Sequence, residues 1–152
     1  MGLTGKLICQ TGIKSDGDVF HDLFGTRPHH VPNITPANIQ GCDLHEGEFG
    51  KVGSVVIWNY SIDGNALVAK EKIVAIDEED KSVTFKVVEG HLLEEFKSVV
   101  IRVHVDTKGE DNLVTWTFDY EKVNESVKDP TSYLDLVLSI TRDIEAHHLQ
   151  SN

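Results

Sequence analysis

No stretch of this chain approaches the roughly 20 consecutive apolar residues that a membrane-spanning helix requires. Basic runs are missing too. Lys and Arg number 14 against 25 Asp and Glu, a formal charge of −11 at neutral pH. A nucleic-acid binder needs a clustered basic footprint to displace phosphate counterions, so nucleic acid is not an expected partner. Cysteine is scarce: Cys9 and Cys42 each sit in a strand-like run, and neither has a second cysteine at metal-site spacing. The first residues, Met1 to Lys6, carry no apolar signal core, and Lys6 stands where a myristoylation pattern requires Ser or Thr. The expectation is therefore a cytoplasmic protein with two free, mostly buried thiols, in which the sequons at Asn33, Asn59 and Asn124 are chance matches. No linker, repeat or low-complexity stretch divides the chain, so residues 1–152 read as one domain, a monomer or weak dimer.

What the chain does have is alternation. Residues 5–13 place Leu7, Cys9, Thr11 and Ile13 on one side of a strand. Asp16 and Asp18 can cap a short helix through Phe24 that Gly25 stops. A segment punctuated by Pro28, Pro32 and Pro36 follows, where Thr35 and Pro36 are read as starting a second short helix. Residues 39–46 form another strand, and after a glycine-rich loop the period is two throughout. Val56, Trp58, Tyr60 and Ile62 alternate up to the hairpin signal Asp63-Gly64-Asn65, and residues 66–76 return. Val83, Phe85 and Val87 alternate next, then Val99, Ile101, Val103 and Val105, a turn over residues 108–112, and Val114, Trp116, Phe118 and Tyr120. Short turns between such runs predict an antiparallel, seven-stranded sheet with one buried face.

The last segment changes period. From Asp129-Pro130-Thr131 to about Leu149, a helix places Tyr133, Leu134, Leu136, Val137, Leu138, Ile140, Ile144 and Leu149 on an apolar arc of roughly 220°. Asp135, Ser139, Arg142 and Asp143 fall opposite. That arc is wider than a helix lying on a sheet needs. Either the helix is held inside a curved sheet and faces a cavity, or the core packs densely around it, and the pattern leaves both open.

Four blocks carry a family likeness: Gly2-Leu3-Thr4-Gly5-Lys6-Leu7; the loop from Gly47 to Ser54; Gly90-His91-Leu92-Leu93-Glu94-Glu95-Phe96-Lys97-Ser98; and the segment from Thr115 through Trp116, Tyr120, Glu121 and Lys122 to Asn124. Together they resemble the plant major latex protein family, within the birch-pollen-allergen superfamily. The resemblance implies an α+β helix-grip, START-like fold: a seven-stranded curved antiparallel sheet around the long C-terminal helix, two short helices after strand 1, and an internal apolar cavity. It also implies binding of hydrophobic or amphipathic small molecules and a part in plant defence or stress responses.

Three other features invite chemistry. The loop from Gly47 through Gly50 to Gly53 lacks the Gly-Lys-Ser/Thr ending of a nucleotide loop, and a strand rather than a helix follows it, which argues for a structural turn. If the alternation of Val99 and Ile101 continues backward, Glu95 and Lys97 point inward and form the basis of a cavity enzyme, because burial draws a lysine pKa toward neutrality. A strand end at solvent or a bulge that resets the phase is the alternative. Norcoclaurine synthases, which share the superfamily, use lysine and acidic residues in such a cavity. The adjacent pairs His29-His30 and His147-His148 are poor chelates, since neighbours on a helix diverge by about 100°. No metal or cofactor is expected.

The expected ligand walls are Trp58, Tyr60, Phe85, Val87, Val99, Ile101, Trp116 and Phe118 on the sheet, with Leu134, Val137, Leu138, Thr141 and Ile144 on the helix. His147 and His148 are expected to border the mouth, where their protonated rings suit a phosphate or carboxylate. Candidate ligands are a fatty acid or lysophospholipid, a sterol or triterpenoid, and a small plant hormone, in a pocket of roughly 300–1,000 Å³.

Overall fold

The alternating runs become strands, in the order expected. A computed structural model describes residues 3–108 and 111–150. Strand β1 (Thr4–Ile13) leads into helix α1 (Gly17–Gly25), a 3₁₀ turn (Pro28–His30) and the one-turn helix α2 (Val31–Ile34). Then come β2 (Ile39–Glu46), β3 (Val55–Ile62), β4 (Asn65–Asp77), β5 (Ser82–Gly90), a 3₁₀ turn (His91–Glu94), β6 (Phe96–Lys108), β7 (Asp111–Lys122) and helix α3 (Thr131–Gln150). All seven strands join one antiparallel sheet in the order β1-β7-β6-β5-β4-β3-β2, a meander onto whose last strand the first one folds back. This is the helix-grip architecture.

Local chemistry accounts for the joints. Asp63 and Gly64 have φ of 52° and 80°, the left-handed pair that a tight two-residue hairpin demands. Asp16 caps α1 by accepting a hydrogen bond from the Asp18 N–H at 2.8 Å. In the glycine loop, Gly47, Gly50 and Gly53 have φ of 87°, 90° and 95°. A Cβ on Gly47 would fall 2.4 Å from Ser54 Oγ, which itself donates to the Glu48 carbonyl. That loop is a packed turn feeding β3. Bulges between Lys70 and Glu71 and between Ile73 and Ala75, along with others in β2 and β6, interrupt the regular pairing, and such irregularities kink a strand and increase its twist.

Two expectations are corrected. The second short helix ends at Ile34 rather than starting at Thr35, because Pro28 and Pro32 fall in first-turn positions, where a missing N–H is tolerated. The side of α3 opposite its apolar arc finds polar partners within the fold. Asp143 Oδ2 accepts from Thr35 Oγ1 at 2.6 Å, and Asn38 Nδ2 donates to Ser139 Oγ at 3.0 Å, so this side docks on the α2–β2 connection. Glu95 and Lys97 do not point inward. A bulge between Phe96 and Ser98 resets the strand phase, burying Phe96 and leaving Glu95 and Lys97 exposed, with Lys97 Nζ 3.5 Å from Glu121. Gly109 and Glu110, in the expected turn after β6, lie outside the described residues.

Candidate ligand-binding cavity

The inward positions of β3, β5, β6 and β7 do not close fully against α3. They leave a cavity of about 80 Å³. Trp58, Tyr60, Phe85, Ile101, Trp116 and Phe118 line it from the sheet, and Tyr133, Leu136, Val137 and Ile140 from the helix. Phe24, Val31, Ile39 and Leu92 contribute from α1, α2, β2 and the 3₁₀ turn after β5. Aromatic edges fix the walls: Phe24 meets Trp116 at 5.3 Å and Trp58 meets Phe85 at 6.3 Å, both near perpendicular. The Trp116 indole N–H donates to Thr141 Oγ1 at 2.9 Å, and that hydroxyl donates to the Val137 carbonyl. This chain of bonds sets the helix against β7.

The expected walls divide accordingly. Trp58, Tyr60, Phe85, Ile101, Trp116, Phe118 and Val137 border the space. Val87, Val99, Thr141 and Ile144 are buried but pack away from it. Leu134 and Leu138 are half-buried on the helix flank and do not line it, because the buried stripe of α3 is narrower than the apolar arc. His147 is exposed and His148 half-buried at the helix end, and neither lines the cavity. Burial lowers the His148 pKa, and His147 and Arg27 lower it further. The volume is well below the roughly 300–1,000 Å³ of an occupied small-molecule pocket, so the space is closed down around its side chains.

The lining residue that the sequence reading did not name is Glu71. It stands between Ala69 and Ile73 in the inward register of β4, is only 7% exposed, and is the one carboxylate among the lining residues. Burial pushes its pKa up to about 8, and a hydrogen bond from Trp58 pulls weakly the other way. Among the described residues, no Lys, Arg or His lines the cavity. Tyr60 and Tyr133 share a hydroxyl–hydroxyl bond of 2.5 Å across the sheet–helix gap. Burial raises both phenols, Tyr133 to about 12, and it raises the Cys42 thiol as well. The cysteines are both free, Cys42 buried and Cys9 half-buried. Among the described residues, no group of His, Cys, Asp and Glu is arranged to hold a metal ion, and no helix is long and apolar enough to cross a membrane.

A grip of one helix by a seven-stranded sheet around an apolar space has a match. Residues 2–151 fit the model of the pathogenesis-related protein Bet v 1 family. The chain belongs to that family. Its similarity to MLP-like protein 31 of Arabidopsis thaliana is 47% identity over 149 residues, covering 97% of this chain and 87% of that protein. The crystal structure of ginseng major latex-like protein 151 from Panax ginseng superposes with a TM-score of 0.96 at 90% identity, covering 97% of this chain and 99% of that one. Norcoclaurine synthase from Thalictrum flavum, in complex with dopamine and hydroxybenzaldehyde, shares the fold alone: TM-score 0.71 at 15% identity, covering 95% of this chain and 88% of that one. The Bet v 1 family binds small hydrophobic ligands. Within it, the outward Glu95 and Lys97 remove the basis for cavity chemistry through that pair.

Proposed function

We propose that the protein binds an amphipathic small molecule in the sheet–helix cavity and carries or buffers it, in the setting of plant defence or stress. The observation that carries this reading is an apolar space between the sheet and the gripped helix that holds one buried carboxyl among the described residues, in a family of ligand binders. Loading requires the cavity walls to move apart, since about 80 Å³ does not hold a sterol, a triterpenoid or an acyl chain. Burying about ten methylenes contributes a gross ~8 kcal/mol, which lost freedom and cavity opening offset by several kcal/mol. Affinities near micromolar follow.

The test is a pair of charges on one helix. Ile140 lines the cavity and Leu138 does not. Ile140→Asp, checked for folding by circular dichroism, is expected to weaken binding of an uncharged polyene probe by about a hundredfold, the loss that places an unpaired charge on an apolar wall. Leu138→Asp is expected to leave that affinity nearly unchanged. Equal effects from the two variants would move the site off this face.

If the ligand is a lysophospholipid, its tail enters and its bulky head stays outside the cavity at the end of α3, near His147 and His148. Because burial lowers the His148 pKa, charge at His148 develops only below the ordinary histidine range. Lysophospholipid binding should then strengthen from pH 7 to pH 5.5 and lose that gain in the His147→Ala/His148→Ala double variant. A flat profile would take both histidines out of the site.

A further inference from the structure

Glu71 has a role that an unspecific grease-filled pocket would not need. Its carboxyl is enclosed by the cavity, its strand neighbours Ala69 and Ile73 are apolar and buried, and the cavity offers it no cation. A carboxyl so placed is expensive to desolvate, and an apolar side chain of its size would fit the site at less cost. The groups that face it are also known. Trp58 on β3 hydrogen-bonds to it, Cys42 lies on β2 with Asp43 beside it, Tyr60 on β3, and Tyr133 on α3, with Glu95 acting on Tyr133 from the turn before β6. Val87 is its partner on β5. On its own strand Lys72 is exposed, and Lys70 is committed to Glu89 at 3.3 Å.

We propose that Glu71, together with the Tyr60–Tyr133 hydroxyl pair, makes the cavity select a neutral ligand that buries a hydroxyl group and reject one that buries an anionic group. This rests on the cavity reading above and narrows its ligand class. A protonated carboxyl donates one hydrogen bond and accepts another, which matches a hydroxyl. The tyrosine pair has one O–H proton not spent between the two rings, a second donor for the same oxygen. An anionic end group meets no positive charge among the lining residues and faces a carboxyl that turns negative as pH rises. With Cys42, Tyr60 and Tyr133 all held protonated through this range, Glu71 is the cavity group that changes charge between pH 6 and 9.

Dodecan-1-ol, dodecanoate and dodecylamine, each below its aggregation concentration, are competed against a neutral polyene probe on the full chain, the Glu71→Gln variant and the Glu71→Leu variant. In the wild type, the alcohol is expected to displace the probe at a concentration about tenfold below that of dodecanoate at pH 7, and the ratio should widen by about another tenfold at pH 9. Dodecanoate is ionised in water across this range, so its own titration is common to all three proteins. Glu71→Gln should keep the alcohol affinity within about threefold and abolish the widening, because an amide still pairs with a hydroxyl but never ionises. Glu71→Leu should weaken the alcohol by about tenfold more than it weakens the probe, whose direct titration on each variant supplies the reference. Equal displacement by alcohol and carboxylate in the wild type, or a widening that survives in Glu71→Gln, overturns the proposal while the cavity reading stands. Dodecylamine binding tightest of the three also overturns it, in favour of a buried ammonium–carboxylate pair. A wild type that never takes up the probe removes the cavity reading and this proposal with it.

Discussion

Glu71→Gln is expected to make the protein more stable than the wild type at pH 8, by on the order of 3–4 kcal/mol, and to leave it nearly unchanged at pH 4. The sign follows from where the proton sits. In the folded chain burial lifts the Glu71 pKa from 4.5 to about 8, whereas in the unfolded chain the carboxyl returns to its ordinary value. Between those two values the folded state holds a proton that the unfolded state has released, so stability falls as pH rises and levels off above pH 8. Glutamine keeps the size and the hydrogen-bonding groups but has no proton to lose. Urea unfolding of both proteins at pH 4, 6 and 8 reads the gap directly. A gap that stays constant across the three pH values would mean that the carboxylate is solvated or paired in solution and does not lie in an apolar cavity.

Trp116→Ala is expected to cost about 3–5 kcal/mol, the range for removing a large aromatic side chain from a packed core. The residue is 4% exposed, meets Phe24 edge-on, and ties α3 to β7 through Thr141. The loss combines transfer of the indole, a hydrogen bond and the enlargement of an existing void. Trp116→Phe separates these contributions: it keeps most of the ring packing and should cost about 1–2 kcal/mol, chiefly the bond to Thr141. Chemical denaturation of both variants is the measurement. An alanine loss below 1 kcal/mol would mean that the sheet face at β7 is already open to solvent or to a resident molecule.

The strands were legible because their inward residues alternate between flanking turns that the sequence marks strongly. Residues 39–46 are read as a strand and β2 spans Ile39–Glu46. The Asp63-Gly64 hairpin is equally direct, since few sequences accept two left-handed residues in succession. Legibility failed wherever a local irregularity shifts the phase. Nothing in Phe96-Lys97-Ser98 decides between a strict period of two, which turns Glu95 and Lys97 inward, and the phase-resetting bulge that the strand has. The helical wheel overcounts for a different reason. It treats Leu134 and Leu138 as equivalent to Val137 and Ile140, although the width of the buried stripe depends on what flanks the helix, and Ser139 and Asp143 find polar partners there. Glu71 sits in an inward register position that its charge argued against. The cavity volume was not legible at all, because it is a small difference between wall positions that side-chain rotamers set. The resemblance to major latex proteins supplied the fold family from specific blocks, and the match over residues 2–151 agrees with it.

The chain contains only two tryptophans, and both Trp58 and Trp116 line the cavity, which gives its occupancy an intrinsic signal. Titration with a conjugated-polyene sterol, whose absorption overlaps tryptophan emission, tests the central claim most directly. Saturable quenching of tryptophan emission with matching sensitised sterol emission, at one sterol per chain and micromolar midpoint, is the predicted result. It should persist in both Trp58→Phe and Trp116→Phe, because each remaining indole still borders the bound sterol. Sterol that associates without energy transfer from either tryptophan, or no saturable association at all, would contradict a ligand site between the sheet and the gripped helix.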